Sequence, residues 1–276
     1  MEATEPPELV IEAGRSSRHY WRDLWRYREL LFFLAWRDVK VRYKQAVLGA
    51  AWALVQPLVT MVVFTLVFGK LAGMPSGTTP YPLLVLAGLL PWQLFSGAFS
   101  GSSGSIIANA NLVSKVYFPR LVVPLAALAV ALIDFAVVFV MYAGFSTWFG
   151  IWPTWRLLAL PAFMLVALLI ALGAGLWLTA LTVKYRDFRF IVPFLLQVGV
   201  FITPVGYRTD NIPNWRDLLA LNPLTGVIDG FRWCLLGGDY QVSAGLMGTS
   251  LLVAALLLTT GVWFFRATER TFADII

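Results

Sequence analysis

The fold is decided by residues 157–183, LLALPAFMLVALLIALGAGLWLTALTV, which lie between Arg156 and Lys184. These 27 residues contain no charged side chain. A helix rises about 1.5 Å per residue, so a run of this length is enough to cross the hydrocarbon core of a bilayer, which is about 30 Å thick. The stretch therefore predicts a transmembrane helix.

Five further stretches reach the roughly 18 apolar residues of a spanning candidate. They are residues 45–69, 71–114, 121–155 apart from Asp134, 190–207 and 240–265. In the second of them, Gly and Pro residues between positions 73 and 82 predict a loop and a polar run follows position 96, which leaves one helix near 82–106. The predicted fold class is an all-α membrane protein with six transmembrane helices.

Composition supports a membrane protein and excludes several other classes. Hydrophobic residues make up 59% of the 276 residues and charged residues only 13%, against about 25% in an average soluble domain. The single cysteine, Cys234, permits no intrachain disulfide, and the single histidine, His19, lies among the charges of the N-terminal segment. Most hydrolase and metalloenzyme designs are thereby excluded, and we expect no metal site.

The net charge of +6 is explained by topology. With the N-terminus inside, the cytoplasmic segments carry 16 Lys and Arg residues and the outer loops carry 5. This bias predicts that both termini are cytoplasmic. Because topology accounts for the positive charge, we expect no nucleic-acid partner. Residues 1–29 mix acidic and basic side chains and lack an apolar core, so we expect a cytoplasmic tail and no cleavable signal peptide.

Residues 30–45 predict an amphipathic helix rather than a span. Four side chains recur on one helical face, namely Phe32, Trp36, Val39 and Tyr43. The charged side chains lie away from it, namely Arg37, Asp38, Lys40 and Lys44. Such a helix lies in the headgroup layer. Two roles stay open: a cationic segment held to anionic membrane lipid, and a docking element for another subunit.

The chain contains no motif for nucleotide hydrolysis. No phosphate loop of the form G-x-x-x-x-G-K-[ST] occurs. Residues 101–105, GSSGS, resemble a phosphate cradle, but no strand precedes them and no Lys follows within the loop, so a small-residue helix-packing face is the favoured interpretation. If the chain transports a substrate against a gradient, another subunit must supply the energy.

One ionisable residue, Asp134, lies near the middle of the predicted third span. A carboxylate at this depth costs about 2.5 to 3.5 kcal/mol on insertion scales, so it is a functional candidate. A proton relay normally has several acidic or His residues at membrane depth, and no second one is present. A structural carboxyl bonded to a neighbouring helix is favoured, and a coupling-ion site is the alternative.

The segment from Thr203 to Gly238 predicts two short helices, near 213–221 and 223–236. Asn222 before Pro223 is typical of an N-cap followed by Pro in the first helical position, and Gly237 is a good helix stop. Both helices are too short and too charged to be spans. We expect them to dip into the outer leaflet as a cap over an exit; a packed surface loop is the alternative.

Seven segments together resemble the permeases of polysaccharide-export ABC transporters, the type 2 permeases that move lipid-linked O-antigen, capsule or teichoic acid chains. The segments are RDVKVRYKQAVLGAAWALVQP (37–57), GLLPW (88–92), NANLVSKVYFPR (109–120), YRD (185–187), TPVGY (203–207), LNP (221–223) and ERTFAD (269–274). The resemblance covers about residues 30–276. No single motif is decisive, but the set is specific.

The resemblance implies a homodimer of six-helix permeases that binds two copies of a separate ATPase subunit in the bacterial inner membrane. ATP and Mg²⁺ would bind that subunit, so this chain itself needs no cofactor. It implies an interface helix at 30–45, a permease domain at 46–266 with a re-entrant gate at 208–238, and a C-terminal tail at 267–276. The interface-helix residues are Trp36, Arg37, Lys40 and Tyr43.

The same resemblance implies two contacts with the ATPase. The main one is a coupling helix within 109–120, and the lesser one is the turn after residue 184. The expected contact residues are Asn111, Lys115, Tyr117, Phe118, Tyr185, Arg186 and Asp187, with Arg120 as an anchor at the membrane edge.

Two stripes of aromatic and polar side chains are candidates for the substrate path. A glycan needs a conduit that binds sugars weakly and repeatedly, and aromatic faces with occasional amides provide this. The stripes are Gln56, Thr60 and Phe64 in the first span and Phe194, Gln197 and Phe201 in the fifth, with Trp52 and Tyr207 towards opposite ends. Ordinary helix packing or lipid contact is the competing interpretation.

Three functions from different classes are compatible with these patterns. The first is a polysaccharide-exporting permease. The second is a type 2 ABC permease for a lipid or a drug, and the third is a membrane-embedded transferase that acts on lipid-linked sugar. A transferase needs carboxylates or His residues that converge at the membrane interface, and apart from Asp187 the predicted inner loops offer few.

Overall fold

The computed structural model describes residues 20–44, 49–211, 215–238 and 240–272, and all the regular structure in these ranges is helical. The helices are α1 (Tyr20–Arg26), α2 (Arg28–Lys44), α3 (Gly49–Phe64), α4 (Tyr81–Ala108), α5 (Ala110–Lys115), α6 (Val122–Trp148), α7 (Leu160–Lys184), α8 (Phe188–Ile202), α9 (Arg216–Leu221), α10 (Pro223–Leu235) and α11 (Ala244–Thr268). His19, most of the predicted tail at 1–29, the start of the predicted helix near 213 and residues 273–276 lie outside the described ranges.

Within the described residues, five helical segments are long and apolar enough to cross a bilayer, where the sequence predicts six. They are Trp52–Leu71, which continues α3, Tyr81–Ala108, Val122–Trp148, Trp155–Lys184 and Ala244–Thr271. The all-helical membrane fold is thus confirmed. The predicted fifth span is only the 15-residue α8, because the chain leaves the helix at Thr203 before Pro204. A helix of that length is about 22 Å long, short of the roughly 30 Å hydrocarbon core.

Helix α4 lies at the centre and packs against α6, α7 and α10. Small residues allow these close contacts. A Cβ added to Gly175 of α7 would collide with the Ser102 hydroxyl of α4, and one added to Gly173 would lie 2.6 Å from the backbone of α11. Ser102 and Ser105 each bond to a carbonyl of their own helix. Residues 101–105 therefore form a small-residue packing face, which is the interpretation that the sequence favoured over a phosphate cradle.

The bundle has two ends, which we name by a residue at each. At the Asn109 end, the first and last described segments meet, because the Tyr20 hydroxyl donates a hydrogen bond to Glu269 at 3.1 Å. A cluster of buried apolar residues from α2, α6, α7 and α11 lies beside this contact. The Tyr207 end holds the start of α4, the turn at 203–207 and α10. Both chain ends of the described structure therefore lie on the same side of the bundle.

The predicted helix pair at the Tyr207 end is present as α9 and α10. The Asn222 side chain accepts a hydrogen bond from the Leu224 amide at 3.0 Å, which confirms the predicted N-cap. Gly237 has a φ of +64°, as expected of a helix stop. Most of α10 is buried against α4, α7 and α11.

Candidate functional site

Helix α2 is fastened to the bundle by polar side chains. Arg37 donates a hydrogen bond to the Asn109 side chain at the end of α4. Tyr43 donates one to Asp134 of α6, and Arg42 forms an ion pair with the same carboxylate at 2.6 Å. The predicted aromatic stripe is therefore divided. Its Phe32 and Trp36 are exposed, whereas Tyr43 contacts α6 beside Arg42.

The predicted interface residues thus occupy two sides of α2. Arg37 and Tyr43 bind the bundle, and Lys40 lies 5.3 Å from the ring centre of the exposed Trp36 on the outer side. Leu34 and Ala35, which the stripe did not include, are the buried apolar contacts of the helix. Asp134 has the neighbouring-helix partners that a structural carboxyl requires.

The predicted coupling segment forms the short helix α5 and an extended turn before α6. Asn111 and Lys115 are exposed, and Tyr117 is 62% exposed. Phe118 is only 4% exposed and belongs to the apolar cluster at the Asn109 end, so it is not available for a partner subunit. The exposed apolar residue beside Tyr117 is instead Val116.

A second exposed segment lies at the same end of the bundle, between α7 and α8. Tyr185, Arg186 and Asp187 are all exposed there. The ammonium of Lys184 lies 5.3 Å from the ring centre of Tyr185. Arg120, the predicted anchor, is half-buried. Apart from the buried Phe118 and the half-buried Arg120, the predicted ATPase contacts are therefore exposed at the Asn109 end.

The two predicted path stripes meet at the Tyr207 end, where the rings of Phe64 and Phe201 lie 5.8 Å apart. The two rings differ in burial: Phe201 is 59% exposed and Phe64 only 5%. Tyr207 is also buried, beside Phe68 at 5.7 Å. The exposed members of the stripes are Trp52, Gln56, Phe194, Gln197 and Phe201, and Thr60 is half-buried. Phe64 and Tyr207 thus pack behind the exposed surface.

The turn at 203–207 is held by a buried cation that the sequence analysis did not single out. Arg232 of α10 is 1% exposed. Its guanidinium donates hydrogen bonds to the carbonyls of Pro204, Val205 and Tyr207 at 2.8, 3.0 and 2.9 Å. In the sequence, Arg232 is the single basic residue of a mostly apolar helix, and the charge count includes it only among the five Lys and Arg residues of the outer loops.

Three of the quoted motifs converge on this turn. A Cβ added to Gly88 would lie 2.5 Å from the Val205 carbonyl oxygen, so only glycine fits where α4 passes the turn. The Tyr81 hydroxyl donates to the Gly206 carbonyl at 2.7 Å, and the Asn222 amide donates to Thr203 at 2.9 Å. GLLPW, TPVGY and LNP therefore build one rigid unit at the Tyr207 end.

One acidic side chain, Asp229, lies one turn of α10 from Arg232. Its carboxylate is 3.9 Å from the Arg232 guanidinium. Burial raises the pKa of Asp229 to about 6, and the neighbouring Arg232 opposes that rise.

These features define a polytopic α-helical membrane protein with an exposed loop surface at one end and a rigid buried turn at the other. Residues 29–236 match the family model described as ABC-2 type transporter. The chain belongs to this family, as the sequence resemblance predicted, and is therefore a transport permease rather than an enzyme.

Several curated relatives match most of the chain. The O-antigen export system permease protein RfbA of Myxococcus xanthus is 30% identical over 258 residues, which cover 92% of this chain and 98% of that protein. The protein of the same name from Klebsiella pneumoniae is 28% identical over 254 residues, 90% and 95% of the two chains. The polysialic acid transport protein KpsM of Escherichia coli is 24% identical over 247 residues, 85% and 91% of the two chains.

Proposed function

We propose that this chain is the transmembrane subunit of an ABC exporter that moves lipid-linked polysaccharide across the bacterial inner membrane. Membership of the ABC-2 family carries the proposal. Relatives named for O-antigen export and polysialic acid transport align with nearly the whole chain, which supports a polysaccharide as the substrate. ATP hydrolysis in a separate subunit supplies the energy, since the sequence has no phosphate loop.

Parity supports six passages through the membrane. The described chain starts and finishes at the Asn109 end, where Tyr20 bonds to Glu269, which favours an even number of passages. Within the described residues, five helices are long enough to span. In this proposal the sixth passage is α8 together with the turn at 203–207, whose carbonyls are bonded by Arg232 and Tyr81. Internal hydrogen bonds of this kind allow non-helical backbone at membrane depth.

The Asn109 end faces the cytoplasm in this proposal. Helices α1 and α2, the turn after α7 and the end of α11 concentrate Lys and Arg residues at this end, as the positive-inside rule requires. Both termini are then cytoplasmic, and α9 and α10 form a re-entrant gate at the outer side. The exposed residues Lys115, Tyr117, Tyr185 and Asp187 face the ATPase.

A second copy of the chain covers the exposed sides of α3 and α8. Both helices are mostly exposed: among the described side chains only Pro57, Met61 and Phe64 of α3 and Val192 of α8 are buried. Their outward side chains include Gln56, Gln197 and three aromatic rings. The glycan passes between the two copies over these side chains, while Phe64 and Tyr207 support them from behind.

A matched pair of variants tests the path. Phe201→Ala removes an exposed ring, so we expect loss of export and of substrate-stimulated ATP hydrolysis while the complex assembles and melts as the wild type does. Phe64→Ala removes a buried ring and should lower the free energy of unfolding by about 3 to 5 kcal/mol. Export by cells and thermal unfolding of the purified complex are the two measurements. Normal export by the Phe201→Ala complex would contradict the path.

A further inference from the structure

A polar cavity of about 320 Å³ opens at the Tyr207 end, between α10 and the start of α11. This volume is at the lower end of the range for small-molecule sites, about 300 to 1,000 Å³. Thr209, Arg232 and Leu246 are its buried walls, the half-buried Asp229 lies between them, and Gln241 and Ser243 lie at its more exposed rim.

Asp229 brings unused hydrogen-bonding capacity to this cavity. Within the described residues, its only hydrogen-bond donor is the Thr209 hydroxyl, 3.4 Å from both carboxylate oxygens. That distance exceeds the 2.5 to 3.0 Å typical of O–H···O bonds, and one proton cannot satisfy two oxygens. A carboxylate accepts about four hydrogen bonds. The half-buried Asp229 is therefore an acceptor ready for hydroxyl donors from a ligand.

The charges around the cavity favour a neutral polar ligand. Arg208 forms an ion pair with Asp210 at 3.3 Å and lies over the Tyr240 ring at 4.8 Å, and Arg232 lies beside Asp229. The two positive charges of the arginines are therefore balanced by the two carboxylates of Asp210 and Asp229. In the part of the chain that the structure describes, Nε of Arg232 is buried without a hydrogen-bond partner, which adds an unused donor. A lipid tail or an apolar drug matches none of these groups.

We propose that this cavity is an exit-side sugar subsite, in which two adjacent hydroxyls of one neutral sugar residue donate hydrogen bonds to the Asp229 carboxylate. Rim groups of Gln241 and Ser243 complete the polar contacts. The inference rests on the proposed function, because the sugar belongs to the exported polysaccharide. The subsite holds the emerging chain beside the turn that Arg232 fixes.

Protection of an engineered cysteine tests this subsite. The single native cysteine, Cys234, is buried, and burial raises its thiol pKa to about 11, so it reacts slowly with maleimide. Ser243→Cys places a thiol at the rim, and Asp217→Cys places one on exposed α9 outside the cavity. The probe is the polysaccharide made by the cells that carry this transporter, freed of its lipid and added to the permease–ATPase complex in lipid nanodiscs.

We expect the polysaccharide to slow maleimide labelling of Ser243→Cys and not of Asp217→Cys. Adding Asp229→Asn should raise the half-protecting concentration about tenfold or more, because a charge-assisted hydrogen bond is lost. Gln241→Cys is a second reporter if Ser243→Cys fails to assemble. Absence of protection at both reporters, or protection unchanged by Asp229→Asn, would overturn the subsite.

Failure of the proposed function has a different signature. Cells that lack the chain should lose polysaccharide from their surface. If export persists in those cells while the thiol is still protected, the subsite stands and the proposed function is wrong. If export depends on the chain and protection is absent, only the subsite is wrong.

Discussion

Arg232 is the residue whose burial most constrains the Tyr207 end. A buried guanidinium is tolerated only when hydrogen bonds replace its lost hydration. Here three backbone carbonyls of one turn accept from it, and Asp229 at 3.9 Å supplies part of the opposing charge. Among the described residues, these three carbonyls accept no backbone hydrogen bond of a helix. Each group therefore satisfies the other, which explains how an irregular turn persists inside the bundle.

Replacing this arginine should destabilise the permease strongly. Arg232→Leu leaves three carbonyls unbonded and Asp229 without its cation, so we expect the free energy of unfolding to fall by about 3 to 5 kcal/mol. Chemical unfolding of the purified permease measures the change. Arg22→Leu, at an exposed position of α1, is the control and should stay within about 0.5 kcal/mol of the wild type. Equal effects of the two variants would contradict the assigned role.

Asp229 should make stability depend on pH. Its pKa is about 6 when folded against 3.8 for an unperturbed group, so the fold favours the protonated form. Ionisation therefore destabilises the fold; the cost is absent below about pH 4 and reaches about 3 kcal/mol above about pH 6. Asp229→Asn removes this cost. We expect the variant to melt at a higher temperature than the wild type near pH 8 and at the same temperature near pH 4; a pH-independent difference would be inconsistent with this.

At the scale of single elements, the segment after α5 separates a contact residue from a core residue at adjacent positions. Tyr117 is exposed and Phe118 is buried. Tyr117→Ala should weaken ATPase binding by about tenfold or more, as loss of an interface aromatic does, with the permease equally stable. Phe118→Ala should instead lower the free energy of unfolding by about 3 to 5 kcal/mol. Binding titrations and unfolding of the same two proteins test this, and an exchange of the two outcomes would disprove the assignment.

The contact between α2 and α6 depends on a polar cluster. Asp134 accepts from Tyr43 and pairs with Arg42. A double-mutant cycle between Asp134→Asn and Arg42→Gln should give a coupling energy of about 1 to 3 kcal/mol in unfolding measurements. Lys40→Gln is the matched control, because Lys40 lies over Trp36 on the other side of α2. A coupling no larger than that of the control would show that the cluster does not hold the helix.

The sequence predicted those helix ends that depend on interactions between neighbouring residues. The N-cap at Asn222, the stop at Gly237 and the start of α4 near residue 82 depend on neighbours in sequence, and the structure has all three. The burial of Phe118 and Phe64 depends instead on residues of other helices. A helical period places a side chain on a face, but it does not say which element covers that face.

The same limit explains the other differences. Arg232 bonds to carbonyls 25 to 28 positions away, so a local sequence pattern of one helix or turn does not contain both partners. Helix α8 is shorter than its charge-free run, because the run continues through Thr203-Pro204 into a turn that tertiary hydrogen bonds help to stabilise. Helix α1 has only 7 residues, too few for a periodic pattern in the sequence to identify it.

At the scale of the whole molecule, one helical bundle joins two different ends. The Asn109 end presents exposed loops beside a helix that is fastened to them through Arg37, and the Tyr207 end presents a fixed turn, the buried helix α10 and a polar cavity. In the proposed exporter, force applied by an ATPase at the first end would reach the second through α4, which contacts both. This division fits an exporter whose energy source is a separate subunit.

Reconstituted transport tests this account most directly. The permease and its ATPase are placed in proteoliposomes with the cell's own lipid-linked polysaccharide on the ATPase side, and the glycan that becomes accessible on the opposite side is measured. We expect movement with ATP and Mg²⁺, and neither movement nor hydrolysis by the permease alone. ATP hydrolysis by the isolated permease, or turnover by the complex without any movement of glycan, would contradict the account.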